Sequence, residues 1–315
     1  MPNCLFCYQD LGLEQEYHKK CCKRFFGIDK VPTLDLGKNI LDDLAEKTVN
    51  KRIAVTGVQP KLSVSLEHIQ GGDRLTIVGL WGGYILKPQH DHFLCMPEVE
   101  DLTMHLANLF KIRTCEHTLI RTSEGNLAYL AKRFDRNNGL KIHVEDFCQL
   151  SGLLTEQKYK ASYERIGKLV QQYCTNKGLD TLNYFELVLF SFLSGNNDMH
   201  LKNFSVKHTV DGIELAPAYD LLNVNLLFPD DKEDMALTLN AKKNKITKKD
   251  FDKLANGLNI STKVLLNIYK KFTTQRESVV HLVNASFLPK DLKDRYIAIW
   301  DQKISDFNLF FQYGN

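Results

Sequence analysis

The stretch GNNDMHLKNFSV, residues 195–206, comes one residue after the apolar segment LVLFSFL and brings aspartate, histidine, lysine and asparagine into one short turn. Polar side chains beside a core segment are costly to fold unless each one finds a partner. The stretch begins with glycine and runs into a strand-like sequence, so we expect a loop that joins a buried helix to a β-hairpin. We expect the chemistry of the protein in this loop.

Asp198 and Asn203 are five residues apart in this loop, which is the spacing found in loops that transfer a phosphoryl group. In such loops the aspartate accepts the proton of the attacking hydroxyl and the asparagine holds a metal ion. Asp220, in AYDLLN, stands where the carboxylate that binds magnesium beside nucleotide phosphates is expected. The alternative is structural: Asp198 could cap a turn, Asn203 could occupy a left-handed turn position, and Asp220 could cap the helix LLNVNLL.

Lys87 ends the β-like run GYILKP and precedes an acid-bearing helix, PEVEDLTMHLANLFKI, which begins at Pro97. A lysine on a central strand can contact the α- and β-phosphates of a nucleotide when a glutamate on the helix orients it. Glu100 is the preferred partner of Lys87, with Glu98 and Asp101 as competitors. A lysine at the end of a strand can also simply be solvated.

The composition is that of an ordinary globular protein, with 43% hydrophobic and 25% charged residues in a chain of 315, which excludes a disordered tail or a fibre. The net charge of +3 is spread along the chain, so charge alone does not indicate nucleic-acid binding. The N-terminus lacks the regions of a signal peptide, and no apolar stretch is long enough to span a membrane. We expect a cytoplasmic protein with no membrane partner.

The pattern of apolar residues predicts an α+β protein with a β-rich N-lobe and a mostly α-helical C-lobe. Strands are predicted in KLSVSL, LTIVGL, GYILKP and LAYLAKRF, and the segments that follow are helical, beginning with HVEDFCQLSGLL. A hairpin made by NFSVKH and GIELAPAYDLLN interrupts these helices. The predicted boundaries are 1–134 for the N-lobe, in which 1–50 is a short extension, and 135–315 for the C-lobe.

The turn TGVQPKLSVSL places Gly57 directly before the first predicted strand. Backbone N–H groups in a glycine turn can cradle phosphate oxygens without a side-chain clash. With a single glycine, the pattern fits an ordinary turn as well as a phosphate loop. Upstream, LDLGKNILDDLAEK predicts a short amphipathic helix that begins near Gly37.

Eight cysteines are divided between the N-terminus and apolar segments, a distribution typical of reduced thiols rather than of a disulfide framework. Cys4, Cys7, His18 and either Cys21 or Cys22 follow the order C-x2-C, ten residues, H-x2-C. This spacing could hold a tetrahedral zinc ion. The alternative is that these cysteines are small buried thiols of the core.

Together these motifs resemble the HipA-type serine/threonine kinase toxins. The resemblance runs from about Thr56 to Asn223. Its blocks stand in the family's order: GVQPKLSVSL, YILKP, PEVEDLTMHLA, KRFDR, HVEDFCQLSG, GNNDMHLKNFSV and AYDLLN. The resemblance implies a bacterial kinase with a two-lobed protein-kinase-like fold that uses ATP and magnesium to phosphorylate a protein. The typical target is an aminoacyl-tRNA synthetase, whose phosphorylation arrests growth.

Position by position, the resemblance implies that Asp198 is the catalytic base, that Asn203 and Asp220 bind the metal, and that Lys87 anchors ATP. Lys202 joins Asp198 and Asn203 among the catalytic candidates. The other candidate nucleotide-binding residues come from four segments: the phosphate-covering loop in TGVQPKLSVSL, the acid-bearing helix that begins at Pro97, the hinge at residues 132–135, and the polar loop at residues 195–206. These residues are Gly57, Val58, Gln59, Lys61, Glu100, Lys132, Phe134 and His200. We expect His200 to orient the backbone rather than to transfer protons.

The short N-terminal extension makes the chain most similar to the HipT toxins of tripartite HipBST modules. This likeness implies tryptophanyl-tRNA synthetase as the substrate. It also implies two antitoxin partners, a HipS-like protein and a helix-turn-helix HipB-like protein, with DNA contacted only through the antitoxin. The family tends to carry an autophosphorylated serine in or beside the phosphate loop, whereas this chain has Ala54 and Thr56 there, with Ser63 and Ser65 beyond it.

Two other functions are compatible with these residues. A small-molecule kinase of related architecture would use the same site and would place phosphate on a metabolite rather than on protein. A non-catalytic pseudokinase that binds a partner is expected to have lost the lysine, aspartate or asparagine of the site, but Lys87, Asp198 and Asn203 are all present.

Overall fold

The computed structural model describes residues 3–12, 16–34, 60–70, 72–78, 81–137 and 139–308. In these residues the helices are α1 Lys19–Phe26, α2 Met96–Leu109, α3 Phe147–Leu150, α4 Tyr163–Tyr173, α5 Lys177–Leu193, α6 Val224–Leu227, α7 Lys248–Gly257, α8 Thr262–Thr273, α9 Arg276–Ala285 and α10 Lys290–Asn308. Two short 3-10 helices span Thr155–Gln157 and Leu201–Asn203. The strands are β1 Thr33–Leu34, β2 Leu62–Ile69, β3 Gly72–Ile77, β4 Tyr84–Lys87, β5 His117–Arg121, β6 Leu127–Lys132, β7 Arg136–Asn137, β8 Leu140–Lys141, β9 Val144–Asp146, β10 Ser205–Thr209 and β11 Gly212–Leu215. The predicted α+β class is confirmed.

The chain divides into two compact units. Unit 1 consists of Met1–Asp101, Cys115–Arg133 and Ala285–Leu288. Unit 2 consists of Leu102–Thr114, Phe134–Asn284 and Pro289–Asn315. Unit 1 contains the largest sheet, whereas most of the helices belong to unit 2.

The main sheet of unit 1 has six strands in the order β1-β3-β2-β4-β6-β5, and only the β1–β3 pair is parallel. Strand β4 lies between β2 and β6, with Leu86 opposite Leu62 and Lys87 opposite Tyr129. Leu62 and Leu86 are buried, as expected for a strand paired on both sides. Lys87 therefore stands on a central strand, as its sequence context predicts.

Helix α1 packs the N-terminal segment into the core of unit 1. Its two phenylalanines, Phe25 and Phe26, are buried, and their rings lie 5.7 and 6.3 Å from the ring of Tyr84 on β4. The helix ends at Gly27, whose φ of 80° is the left-handed conformation that favours glycine after a helix. Ahead of the helix, Leu5 accepts a backbone hydrogen bond from Leu119 of β5.

The core of unit 2 contains aromatic side chains from segments that are far apart in the sequence. Phe110 stacks on Phe272 at 4.6 Å and on Trp300 at 5.3 Å between ring centres, and all three side chains are buried. The predicted hairpin is confirmed as β10 and β11, with Val206 opposite Leu215. Strand β9 pairs with the other edge of β10 and completes a three-stranded antiparallel sheet.

The prediction of one helix for HVEDFCQLSGLL is wrong. Val144–Asp146 form strand β9, and only Phe147–Leu150 are α-helical. Asp146 ends the strand because its side chain accepts the backbone N–H of Gln149 and so begins a new, short helix. The helix predicted near Gly37 lies outside the described residues. Among the helices that are described, none is both long and apolar enough to cross a lipid bilayer.

Candidate active site residues

A buried ion pair joins β4 to α2 within unit 1. The Lys87 Nζ donates to Glu100 Oε1 at 2.5 Å, and the two residues are only 5% and 1% exposed. The ammonium also lies 5.3 Å from the centre of the Tyr129 ring. The structure thus pairs Lys87 with Glu100, the preferred partner. The alternative of a solvated lysine at the strand end is wrong.

The two competing acids, Glu98 and Asp101, make other contacts. Asp101 is fully buried, accepts the Tyr8 hydroxyl at 2.7 Å, and lies 2.7 Å from Nδ1 of His117. Glu98 buries an Oε2 atom that has no hydrogen-bond partner, and burial is the main cause that raises its pKa to about 7. Glu100 is therefore the acid of α2 that Lys87 holds at short distance.

The polar loop of unit 2 begins where α5 ends. Gly195 has φ of 71°, its N–H donates to the Phe192 carbonyl, and the N–H of Asn196 donates to Ser191, which is a Schellman ending. A side chain at position 195 would also be crowded, because its Cβ would lie 2.7 Å from Asn223 Oδ1. Glycine at this position therefore satisfies both the backbone turn and the close approach of the segment after Asp220.

Asp198 and Asn203 are joined across the loop. The Asn203 side chain is buried, and its Nδ2 donates to the backbone carbonyl of Asp198 at 2.9 Å. Asp198 is half-buried and its Oδ1 accepts the hydroxyl of Tyr159 at 2.7 Å. Asn203 is not among the described residues with positive φ, so its proposed left-handed turn is wrong. Because its amide nitrogen is used within the loop, the amide oxygen is the atom that Asn203 can offer to a cation.

His200 and Lys202 hold the loop in shape. His200 is buried, its Nδ1 accepts the backbone N–H of Lys202 at 3.3 Å, and burial lowers its pKa although the carboxylates of Asp198 and Asp220 oppose this. Lys202 Nζ lies 2.7 Å from Asp146 Oδ2, the carboxylate that begins α3. His200 thus contacts the backbone of the loop, and Lys202 connects the loop to the end of β9.

Asp220 lies in a segment that is bound to the polar loop at two points. Tyr219 donates its hydroxyl to the Lys202 carbonyl at 2.8 Å, and the backbone N–H of Asn225 donates to the Gly195 carbonyl at 3.1 Å. Asp220 itself has φ of 59°, a conformation that aspartate and asparagine adopt more readily than most residues. The suggested role of Asp220 as a helix cap is wrong, because Asn223 caps α6.

The hinge residues divide between the two units. The backbone N–H groups of Lys132 and Arg133 donate to Glu116 and Gly83 within unit 1, and the exposed Lys132 ammonium lies 3.4 Å from a Glu116 carboxylate oxygen. The Phe134 ring lies 5.4 Å from the Tyr219 ring within unit 2. Lys61 is exposed. Gly57, Val58 and Gln59, like Ala54 and Thr56, lie outside the described residues.

The two groups of candidate residues thus belong to different units. Lys87 and Glu100 are in unit 1, whereas Asp198, Asn203 and Asp220 are in unit 2.

Sequence reasoning missed Tyr159 and Asp146, which contact Asp198 and Lys202. For Asp146 a signal was available, because aspartate followed three residues later by Gln149 is the pattern of a capping box. For Tyr159 there was none, since its loop carries no motif and the contact spans 39 residues.

The cysteine and histidine side chains of the predicted zinc set come together within unit 1. The ligand atoms of Cys4, Cys7, His18 and Cys21 all lie within 4.8 Å of one another. Cys22, the alternative fourth ligand, lies outside this group of atoms, although it shares the buried core of unit 1 with Cys4 and Cys21.

The fold resembles that of two solved structures. A chain of the Shewanella oneidensis complex of HipA, HipB and operator DNA superposes with a TM-score of 0.70, at 21% identity, over 85% of this chain and 72% of that chain. The Helicobacter pylori proinflammatory kinase CtkA superposes with a TM-score of 0.53, at 16% identity, over 71% of this chain and 87% of its own. These likenesses are evidence of a shared fold.

The sequence relatives include proteins that carry kinase names. A Haemophilus influenzae protein, whose name assigns it as a kinase, is 24% identical over an alignment of 289 positions that covers 82% of either chain. The serine/threonine-protein kinase toxin HipA of Shewanella oneidensis is 28% identical over an alignment of 210 positions that covers 60% of this chain and 47% of that toxin. The family model for the HipA-like C-terminal domain matches residues 53–280, more than two thirds of the chain. The chain therefore belongs to the HipA-like C-terminal domain family.

Proposed function

We propose that this protein is an ATP-dependent serine/threonine protein kinase that acts as the toxin of a toxin–antitoxin module. The buried Lys87–Glu100 ion pair carries the proposal. Removing two charges from water costs several kcal/mol per ion, so a buried pair is weak support for stability. A lysine on a central strand held by a helix glutamate is, however, what a kinase needs to bind the α- and β-phosphates.

The polar loop and the segment after the β10–β11 hairpin would supply the donor atoms of a magnesium site. Mg²⁺ prefers oxygen ligands, and Asp220 and Asn203 would supply a carboxylate and an amide oxygen. Bound Mg²⁺ would neutralise charge on the phosphate oxygens during transfer. Asp198 would accept the proton of the substrate serine or threonine hydroxyl. The hydrogen bonds from Asn203 to the Asp198 carbonyl and from Tyr159 to its carboxylate would hold that base in position.

The remaining candidates would bind and orient the nucleotide. Lys87 would contact the phosphates, and Glu100 would keep its ammonium directed. Phe134, packed near Tyr219, would lie beside the adenine, and the loop containing Gly57, Val58, Gln59 and Lys61 would cover the phosphates. His200 would keep the polar loop in shape through its bond to the Lys202 backbone.

The proposed substrate is an aminoacyl-tRNA synthetase, with tryptophanyl-tRNA synthetase preferred because of the likeness to HipT toxins. The proposed partners are a HipB-like antitoxin, as in the Shewanella complex of HipA, HipB and operator DNA, and a HipS-like protein. DNA would be reached only through the antitoxin. These proposals place the protein in the bacterial cytoplasm.

The test is transfer of radiolabelled phosphate from ATP, with magnesium, into purified tryptophanyl- and glutamyl-tRNA synthetases. Wild type is compared with Asp198→Asn and with Asp230→Asn, a matched change at an exposed aspartate outside the loop. We expect label on one synthetase, its loss in Asp198→Asn and its retention in Asp230→Asn. Equal labelling by Asp198→Asn would refute the catalytic role of Asp198. Label on a metabolite but on no protein in a lysate would refute the protein substrate.

A further inference from the structure

Four potential metal ligands converge at the start of the chain. The Cys7 and Cys21 sulfurs lie 3.4 and 3.7 Å from Nδ1 of His18, and Cys4 completes a set of four atoms within 4.8 Å of one another. In a tetrahedral zinc site with ordinary bond lengths, sulfur and nitrogen ligands are about 3.5 Å apart and two sulfurs about 3.8 Å apart. The His18 contacts therefore have the spacing that a bound zinc ion requires.

The backbone of this segment also has the form that such a site needs. The N–H of Tyr8 donates to the Cys4 carbonyl, and the N–H of Cys4 donates to the Gln9 carbonyl. Cys4 and Cys7 therefore lie in a tight turn. Tyr8 adopts a φ of 60°, which few bulky residues do without a constraint. The backbone N–H of Cys21 in turn bonds to the carbonyl of His18, at the start of α1.

An outer contact sets which nitrogen of His18 faces the cysteines. Nε2 lies 3.0 Å from the backbone carbonyl of Asp10, and a carbonyl can only accept a hydrogen bond. Nε2 therefore carries the proton, and Nδ1 presents its lone pair towards Cys7 and Cys21. Metal-bound histidines commonly donate their second N–H to a carbonyl or carboxylate in this way.

The neighbouring cysteine argues against simple core packing. Cys21 and Cys22 are adjacent on α1 and both are buried, yet only Cys21 belongs to the group of four ligand atoms. Apolar burial alone would not select three sulfurs and one imidazole nitrogen and exclude the next sulfur. None of the eight cysteines, all of which lie in the described residues, forms a disulfide, so no disulfide accounts for the convergence.

We propose that Cys4, Cys7, His18 and Cys21 bind a structural zinc ion. Four protein ligands fill a tetrahedral coordination shell and leave no position open for a substrate, which is typical of structural sites. The ion would fasten the turn at residues 4–10 to helix α1. Because α1 packs Phe25 and Phe26 against Tyr84 of the Lys87 strand, the site would support the sheet that carries Lys87.

The first test is the metal content of the full chain, purified without chelator and measured by elemental mass spectrometry. We expect equimolar zinc in the wild type and in Cys22→Ala, and strongly reduced zinc in Cys21→Ala. Cys7→Ala gives a second test at a ligand that is only half-buried, so that loss of metal can be seen in a folded chain. Wild-type zinc in both ligand variants, or a zinc-free wild type, would overturn the proposal.

A second measurement reports the ligands directly. Zinc is exchanged for Co²⁺, which gives intense visible bands in a tetrahedral site. Thiolate ligands add a near-ultraviolet charge-transfer band whose intensity increases with their number. We expect both kinds of band in the wild type and a weaker charge-transfer band in Cys7→Ala. The pale spectrum of octahedral Co²⁺ in the wild type would contradict the site, as would a Cys4–Cys7 disulfide found in a peptide map. The same spectrum in Asp198→Asn keeps this result separate from any failure of kinase activity.

Discussion

The hydroxyl of Tyr159 donates a hydrogen bond of 2.7 Å to the Asp198 carboxylate. Tyr159 also packs its ring edge-on against His200 at 5.0 Å, and the neighbouring Lys158 carbonyl accepts the N–H of Leu201. One loop segment therefore contacts the polar loop of unit 2 through a carboxylate, a ring and the backbone. We expect this segment to position Asp198.

Tyr159→Phe should lower kcat for phosphate transfer about tenfold, a change of about 1.4 kcal/mol. The phenyl ring keeps its packing on His200, but the carboxylate loses a bond of the kind that contributes about 1.5–3 kcal/mol. KM for ATP should change little. Steady-state kinetics would measure both, with Tyr173→Phe, at the end of α4, as the control. An unchanged or higher kcat in Tyr159→Phe would contradict the positioning role.

Lys87→Met should lower the free energy of unfolding by about 3–5 kcal/mol, because Glu100 is left buried without its cation. The double variant Lys87→Met with Glu100→Gln should recover part of this loss. Urea denaturation of both single variants and the double variant completes the cycle. The exposed Arg276–Asp301 pair provides the control, since Arg276→Met should lower the free energy of unfolding far less than Lys87→Met does. If Lys87→Met lowered the free energy of unfolding as little as Arg276→Met does, the strong interaction between Lys87 and Glu100 would be refuted.

Asp220→Asn should abolish phosphate transfer at ordinary magnesium concentrations and restore part of it at high magnesium. Asparagine tolerates the φ of 59° and retains one oxygen ligand, but it removes the negative charge. Asp220→Ala should be inactive and also less stable by about 1–2 kcal/mol, because alanine is strained in this conformation. Magnesium titrations and thermal unfolding separate the two effects. Wild-type magnesium dependence in Asp220→Asn would exclude Asp220 as a ligand.

Glu98→Gln should stabilise the protein above pH 7 and have little effect below pH 4.5. Burial raises the pKa of Glu98 from 4.5 to about 7, so the folded state binds its proton more tightly than the unfolded state. Stability is therefore lost as the pH rises from 4.5 through 7, by about 1–3 kcal/mol. Denaturation across this range, with the exposed Glu124→Gln as control, should show the gain in Glu98→Gln alone. An equal gain at every pH would contradict this origin.

The elements that the sequence predicts best are those with a strong local pattern. The strand containing Lys87 is recognisable from its short β-rich run between glycine and proline, and helix α2 from Pro97 and its apolar face. The hairpin at Ser205–Leu215 is similarly local. The third strand of the sheet that contains this hairpin, β9, is not predictable in this way. Val144–Asp146 are too few to show alternating apolar and polar residues, and they are extended because they pair with β10.

The candidate site shows the same division. The spacing of Asp198 and Asn203 and the Lys87–Glu100 pairing follow from motifs that are continuous in the sequence. The roles of Tyr159, Asp146 and the Asn225–Gly195 hydrogen bond depend on contacts between distant segments. Nor could spacing decide between Cys21 and Cys22, because which of two adjacent helix residues turns towards Cys4 and Cys7 is set by how α1 packs on the sheet.

Asn3 donates its side-chain amide to the carbonyl of Ala285, 282 residues away, and Phe287 packs against Tyr8 within the same unit. On the ribosome, such distant contacts form last, because the N-terminal segment must wait for its partner to be synthesised. Unit 1 therefore acquires its closing contacts only when translation has passed residue 287. A polypeptide that terminates before this point would lack these contacts. The unit that carries Lys87 is therefore completed only after most of the chain has been synthesised.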